Sequence, residues 1–380
     1  MKIAVSTTSK FPSSTANSIQ VLMACQGLVK NGQDIRLWFP GSASPSFETL
    51  RSHYCLSCEE FPITQLPSRP WLRRIDFSYR AVNEAAKWGA DLVYTWTIQI
   101  ALIASRRGIP VIFEAHDLPT GTFGKRWFRE FVKSKSPKRI VLITHALKRL
   151  MQQQYPELQD SDCVIAPNAI NAEDYSNLPG ISKAKEMMGF SDRKIASCSG
   201  HLYQGRGVEH FLQLAQAFPQ IDFYWYGGTP ASVAFYREVV VQRMLMNVIF
   251  TGFIPKTDLP LAQAASDFLL MPYEKSIAGS SGGNSAAICS PMKLFEYLAV
   301  GRPILASDLP VFHEILDENS AIFCEPENVE SWKSGLQFLL DHPENAQALG
   351  QAARDKSYQY TWQKRAACII DSLNEDNYEG

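Results

Sequence analysis

Short apolar runs separated by single helical patterns recur along the chain, and they do so in two sets. KIAVST (2–7), DIRLWF (34–39), LVYTW (92–96), PVIFEA (110–115), RIVLIT (139–144) and CVIAP (163–167) read as buried strands. Helical spacing fills 17–31, 76–89, 97–107, 124–135 and 145–154 between them. Strands joined by single helices pair in parallel, because a parallel neighbour is reached only through a crossover. The pattern restarts with KIASCSG (194–200), DFYWYGG (222–228), VIFTGFI (248–254), FLLMPY (268–273), PILAS (303–307) and AIFCEP (321–326). Helices are expected near 207–218, 230–244, 257–265, 291–300, 309–316 and 329–342. The intervening stretch, 170–193, is polar and carries no strand, so it reads as a linker with one short helix. The expected fold class is α/β, with two Rossmann-like doubly wound parallel sheets facing across a cleft. The expected boundaries are 1–172, a linker at 173–193, 194–358, and a C-terminal helix in 359–380 that packs back toward the first domain.

The 380 residues suffice for two such domains, and 46% apolar with 20% charged residues is ordinary for a globular chain. A formal charge of −1 gives no bulk attraction to nucleic acid. No apolar run reaches the length of a membrane span, and the first residues read as a strand rather than a signal peptide, which points to the cytoplasm. Eight scattered cysteines fit a reducing compartment. Cys55 and Cys58 form a lone Cys-x-x-Cys pair without the second half of a zinc site, so no metal is expected.

SPMKLFEYLAVGRPILASDLP (290–310) contains a local conflict. Ser290 suits an N-cap and Pro291 the first helical position, with Gly301 as the stop. Lys293 then falls in the first turn, where the helix dipole already supplies positive charge. A bound anion resolves the conflict, since helix starts bind phosphate. Glu296, on the same face, can accept from hydroxyls beyond that anion. A surface Lys–Glu pair is the plain alternative. The strand at 194–200 ends in SGHLYQGRGVEHF, which places Arg206 between Gly205 and Gly207 beside a helix start. Its planar fork suits phosphate. The absence of GxGxxG after the first strand argues against a dinucleotide. The Gly/Ser-rich stretch 274–290 can wrap an anion with backbone N–H groups, or form a plain surface loop.

In the first half, FEAHDLP (113–119) sets Glu114, His116 and Asp117 at a strand's C-terminal edge. A histidine there can bind a hydroxyl or move a proton, although lone histidines are often structural. TTSKFPSSTANS (7–18), with Ser13, Ser14 and Asn17, is rich enough in hydroxyls and amides to hold a polyhydroxylated acceptor, or simply to cap a helix. In 123–139, Trp127, Phe128, Phe131 and Val132 oppose Lys125, Arg126, Arg129 and Lys133. That pattern fits a helix on an anionic membrane and, more commonly, a core-packed helix with a solvated face.

These segments resemble the GT-B glycosyltransferases, family 4 in particular, over nearly the whole chain. SGHLYQGRGVEHFLQLA is similar to the family's donor-phosphate turn, and SPMKLFEYLAVGRPILASDLPVFHEIL to its nucleotide-sugar helix. FEAHD and APNAI fall where members carry related segments. The resemblance implies a retaining, metal-independent hexosyltransferase. It takes a nucleotide diphosphate sugar as substrate, needs no cofactor, and acts on a saccharide, lipid-linked or small-molecule acceptor. It makes 1–172 the acceptor-binding domain and 194–358 the donor-binding domain, and a lipid-linked acceptor would fit peripheral membrane contact through 124–135, which rests on the charge pattern of that helix alone. It gives Arg206 and Lys293 the donor diphosphate, Glu296 the ribose, His116 the transferred sugar, and the backbone at Phe253 and Ile254 the base. Gly200, His201, Ser290 and Leu294 complete the donor site. Ser13, Ser14, Asn17, Glu114 and Asp117 form the acceptor side. His116, Arg206 and Lys293 are the catalytic candidates. Two positions depart from the pattern: Ile288 stands where a second glutamate is usual, and His201 where an arginine often follows the glycine. The rival readings are a nucleotide-sugar 2-epimerase on the same fold and a non-catalytic nucleotide-sugar-binding protein.

Overall fold

A computed structural model describes residues 1–72, 74–277 and 285–373. The chain forms two units. One comprises Met1–Asn168 together with the chain from Trp362 onward, the other Ala169–Thr361.

The first unit is built on strands β1 (Lys2–Ser6), β2 (Asp34–Pro40), β3 (Ile63–Leu66), β4 (Leu92–Thr95), β5 (Val111–Ala115), β6 (Lys138–Leu142) and β7 (Cys163–Ile165), in the order β3-β2-β1-β4-β5-β6-β7. Every pairing is parallel, and Val5 of β1 lies between Leu37 of β2 and Tyr94 of β4. β1, β4 and β5 are buried almost throughout, which is why they read as unbroken apolar runs. β3 and the helix Phe47–Tyr54 were not expected. β3 is a four-residue edge strand, ITQL, without an apolar run, so the sequence gives it no period to detect. The helix Gly121–Val132 buries Phe128, Phe131 and Val132, so it packs on the core.

The second unit holds β8 (Ile195–Ser199), β9 (Asp222–Tyr226), β10 (Val248–Gly252), β11 (Phe268–Met271), β12 (Ile304–Ser307) and β13 (Ile322–Cys324), in the order β10-β9-β8-β11-β12-β13, again all parallel. One core face gathers Phe211, Phe223, Trp225, Phe250, Leu270 and Trp332. Both sheets have the doubly wound Rossmann-like form. The helix expected at 309–316 does not form. Pro310 has no N–H to give, and Leu309, Val311, Phe312 and Leu316 are all buried through tight turns, such as Phe312 N–H to Leu309 O at 2.8 Å.

The helix Trp362–Asp371 packs against the helix Ala16–Lys30 of the first unit. Asn31 donates to Gln363 O at 2.7 Å, and Gln363 donates to Lys30 O at 3.3 Å. The two backbones lie in close approach at Gly27, where an added Cβ would overlap Trp362 O. Helix propensity favours Ala over Gly by about 1 kcal/mol, whereas overpacking costs about 1–3 kcal/mol. Gly27→Ala is therefore expected to lower the urea unfolding midpoint, and a raised midpoint would contradict this close approach.

Candidate functional site

In the second unit the site is assembled where β8 and β11 end. Gly205 and Gly207 have φ of 85° and 75°, in the left-handed region that favours glycine. An added Cβ would collide with Ser276 O at Gly205 and with Pro272 O at Gly207. The turn therefore lies directly on the segment after β11, and Glu274 N–H to Gly205 O at 3.0 Å ties the two together. Arg206 is held against that segment, with its guanidinium 4.6 Å from the ring centroid of Tyr273. Lys293 reaches the same ring, its Nζ also 4.6 Å from the centroid. The structure thus brings together two cations that stand 87 positions apart in sequence.

Lys293 lies in the helix Met292–Val300. Pro291, not Ser290, is its N-cap. Pro291 has extended geometry (φ −70°, ψ 131°), accepts the Leu294 N–H at 3.1 Å through its carbonyl and gives no side-chain cap. Gly301 closes the helix at φ 70°. Lys293 is 8% exposed, and among the described residues its ammonium donates only to Cys198 Sγ, at 3.5 Å. Burial pushes the Cys198 thiol up, opposed by the Lys293 charge. Arg206 Nε is buried without a partner among the described residues. Among the described residues neither cation has a carboxylate in ion-pair reach. A desolvated ring contact is worth about 2 kcal/mol or somewhat more, whereas withdrawing an ammonium from water costs several. Tyr273 alone leaves a positive deficit that an anion at the helix start would fill.

Glu296 follows one turn on, and burial raises its carboxyl above the usual range, against the Gln263 hydrogen bond and the Lys256 and Lys293 charges. Gln263 Nε2 is 3.4 Å from Glu296 Oε2 and donates to Ser199 Oγ at 3.1 Å, leaving Gln263 Oε1 buried and unpaired among the described residues. Gly200 (φ 128°) ends β8, and the His201 ring stacks on Tyr203 at 4.9 Å. Burial, then the Arg206 charge, lowers the His201 pKa, so this histidine does not supply the charge of the usual arginine. Ser290, Leu294 and Ile288 are buried, Ile254 is partly covered, and Phe253 is 69% exposed. Residues 278–284 of the Gly/Ser-rich loop lie outside the described residues.

In the first unit, β5 carries Glu114, which does not sit as an open acceptor contact. It is 1% exposed, and both carboxylate oxygens are occupied internally. Oε1 accepts from Gln20 Nε2 at 2.6 Å, His116 Nε2 at 2.7 Å and Arg365 Nη2 at 2.7 Å, and Oε2 accepts from the Tyr94 hydroxyl. Arg365 comes from the helix Trp362–Asp371 and also donates to Pro167 O and Ala166 O. Asp117 Oδ1 accepts the Leu118 N–H. Asn17 donates to Ser9, Ser13 N–H donates to the Tyr54 hydroxyl, and Ser14 is exposed. Sequence reasoning missed Tyr273, Gln263 and Arg365. Only Arg365 left a trace, as a cation among the apolar positions of the last helix.

Residues 18–174 match the Glycosyltransferase Family 4 model, and residues 204–371 match the Glycosyl transferase-like model. Alpha-galactosylglucosyldiacylglycerol synthase of Streptococcus pneumoniae is 24% identical over 51% of this chain and 50% of its own length. A GDP-mannose-dependent alpha-(1-6)-phosphatidylinositol monomannoside mannosyltransferase of Mycolicibacterium smegmatis is 24% identical over 51% of each chain. The chain thus spans about half the length of the relatives it matches. HepE from Anabaena, solved with UDP and glucose, superposes with a TM-score of 0.73 at 13% identity, covering 98% of this chain and 99% of that one. A glycosyltransferase from Rickettsia africae reaches 0.78 at 13% identity, covering 100% and 99%.

Burial alone would raise the Glu114 pKa. The Arg365 charge, the His116 contact and the Tyr94 hydrogen bond outweigh it and hold the pKa at about 2, against an ordinary 4.5. Glu114 therefore takes up its proton at lower pH in the folded chain than in the unfolded one. Its stabilisation is complete above about pH 4.5 and is lost as pH falls toward about 2. Glu114→Gln should lower the urea midpoint at neutral pH and flatten its decline across that window. An acid limb as steep as in the wild type would show that Glu114 does not contribute to it.

Proposed function

For a chain that belongs to the family 4-like glycosyltransferases of GT-B fold, we propose hexosyl transfer from a nucleotide diphosphate sugar held by the second unit, with retention at the anomeric carbon and no bound metal. The observation that carries this reading is the pair of cations on Tyr273, at an uncapped helix start with a carboxyl one turn further on. As the glycosidic bond breaks, negative charge grows on the departing diphosphate. Arg206, Lys293 and the free N–H groups of the helix are already in place to receive it, so little reorganisation accompanies the step. Glu296 takes the ribose hydroxyls, and the exposed ring and backbone at 253–254 face the base. His116 hydrogen-bonds the transferred sugar, and the first unit supplies the acceptor.

A lipid-linked acceptor is favoured by the names of the two relatives above, and a saccharide is the other candidate. Phe123, 60% exposed on the helix Gly121–Val132, with Lys125 and Lys133 on its open face, supports contact with an anionic surface. Arg126 and Arg129 of that helix are paired with Glu130 and Glu157, which weakens the attraction. No helix among the described residues is long and apolar enough to cross a membrane.

The test is a melting screen with UDP-, GDP- and ADP-hexoses, in which the cognate donor raises the melting temperature with concentration. Lys293→Ala and Arg206→Ala should each abolish that shift and lower turnover by about 100-fold or more, a loss typical of removing one preorganised donor. The melting temperature without ligand should stay within a few degrees. Added chelator should leave turnover unchanged. Near-normal turnover in both variants would refute the site. Stabilisation by a nucleotide sugar without transfer to any acceptor would point to a binding protein, a reading that the buried Ile288 and the uncharged His201 favour. Conversion of donor alone to its epimer would point to the epimerase.

A further inference from the structure

The carboxylate of Glu114 accepts four hydrogen bonds, three of them on Oε1. Arg365 lies against it as a buried counter-charge, at 2.7 Å, and is 7% exposed. A carboxylate so surrounded is ionised, and an ionised carboxylate only accepts. The nitrogen of His116 that faces it, Nε2, must therefore carry a proton. A neutral imidazole has one N–H, so Nδ1 is left with its lone pair. Nδ1 has no protein partner among the described residues, and the His116 side chain is 29% exposed.

We infer that Arg365, acting through Glu114, fixes His116 as the Nε2–H tautomer, so that the ring offers Nδ1 as an acceptor to a sugar hydroxyl and not as a donor to an ionised phosphate oxygen. Arg365 and Glu114 are thus positioning residues. The choice of ligand rests on the proposed sugar-binding role of His116, whereas the tautomer rests on the geometry alone. Gln20 and Tyr94 hold the carboxylate from the helix Ala16–Lys30 and from β4, so the device is anchored in three elements besides β5.

The test is a two-bond proton–nitrogen correlation on the full chain labelled with nitrogen-15 histidine, at about pH 8.5, where an ordinary imidazole is neutral. The His116 signals are identified by their loss in His116→Gln. The expected pattern is Nε2 protonated and Nδ1 bare. The reverse pattern, or a fast average of the two, would overturn the inference. Arg365→Lys should keep the pattern, and Arg365→Met should disturb it. Should Arg365→Met fail to fold, the double variant Glu114→Leu/Arg365→Met leaves no buried charge unpaired and is expected to show the average. A pattern still fixed as Nε2–H in that variant would refute the positioning role. If the wild type shows the expected tautomer and His116→Gln still turns over at the wild-type rate, the ligand assignment fails together with the sugar role of His116, and the tautomer assignment stands.

Discussion

A parallel strand finds its neighbour only by way of a crossover, and every crossover returns the chain to the same end of the sheet. All the strands of each unit therefore point the same way, and the loops that leave their C-terminal ends gather at one edge. In the second unit, Arg206 lies in the turn after β8 and Tyr273 follows β11. The helix bearing Lys293 begins at that same edge of the second sheet. No single loop makes the site. The topology does, by collecting residues that are tens of positions apart onto one rim, where helix starts add their own positive potential.

The two units handle buried charge in opposite ways. In the first, Glu114 is surrounded by donors and matched by Arg365, so its negative charge is satisfied from within the protein. Removal of one partner alone would leave the other stranded in a dry interior. In the second, among the described residues, Arg206 and Lys293 share an aromatic face and Lys293 adds a thiol contact, but neither meets a carboxylate, and the N-cap residue Pro291 gives no side-chain cap. A self-contained network serves a fixed scaffold. An incomplete one leaves positive charge that an anion could balance.

The sequence made the strands of both sheets legible because burial on two faces writes an uninterrupted apolar run. It left β3 hidden because a short polar edge strand writes none, and it suggested a helix at 309–316 because apolar spacing there is also compatible with packed turns. Lys293 was legible through its conflict with the helix dipole, and Arg206 through its flanking glycines. Glu114 could be seen at a strand end, but nothing local distinguishes a carboxylate that faces substrate from one matched by an arginine about 250 residues away. Tyr273 was read only as the end of an apolar strand. Its role depends on which two side chains reach its face, and that is decided by tertiary structure.

The helix that carries Arg365 belongs to the first unit, although the entire second unit separates it from the rest in sequence. A ribosome issues the chain from one end, and domains ordinarily fold as they emerge. Here the amino-terminal sheet is fully translated long before Arg365 exists, so Glu114 must wait with neither its counter-charge nor the covering helix over Gly27. Completion of the first unit is deferred until the second has been made, which couples the maturation of the two halves to the order of translation rather than to their separate sequences.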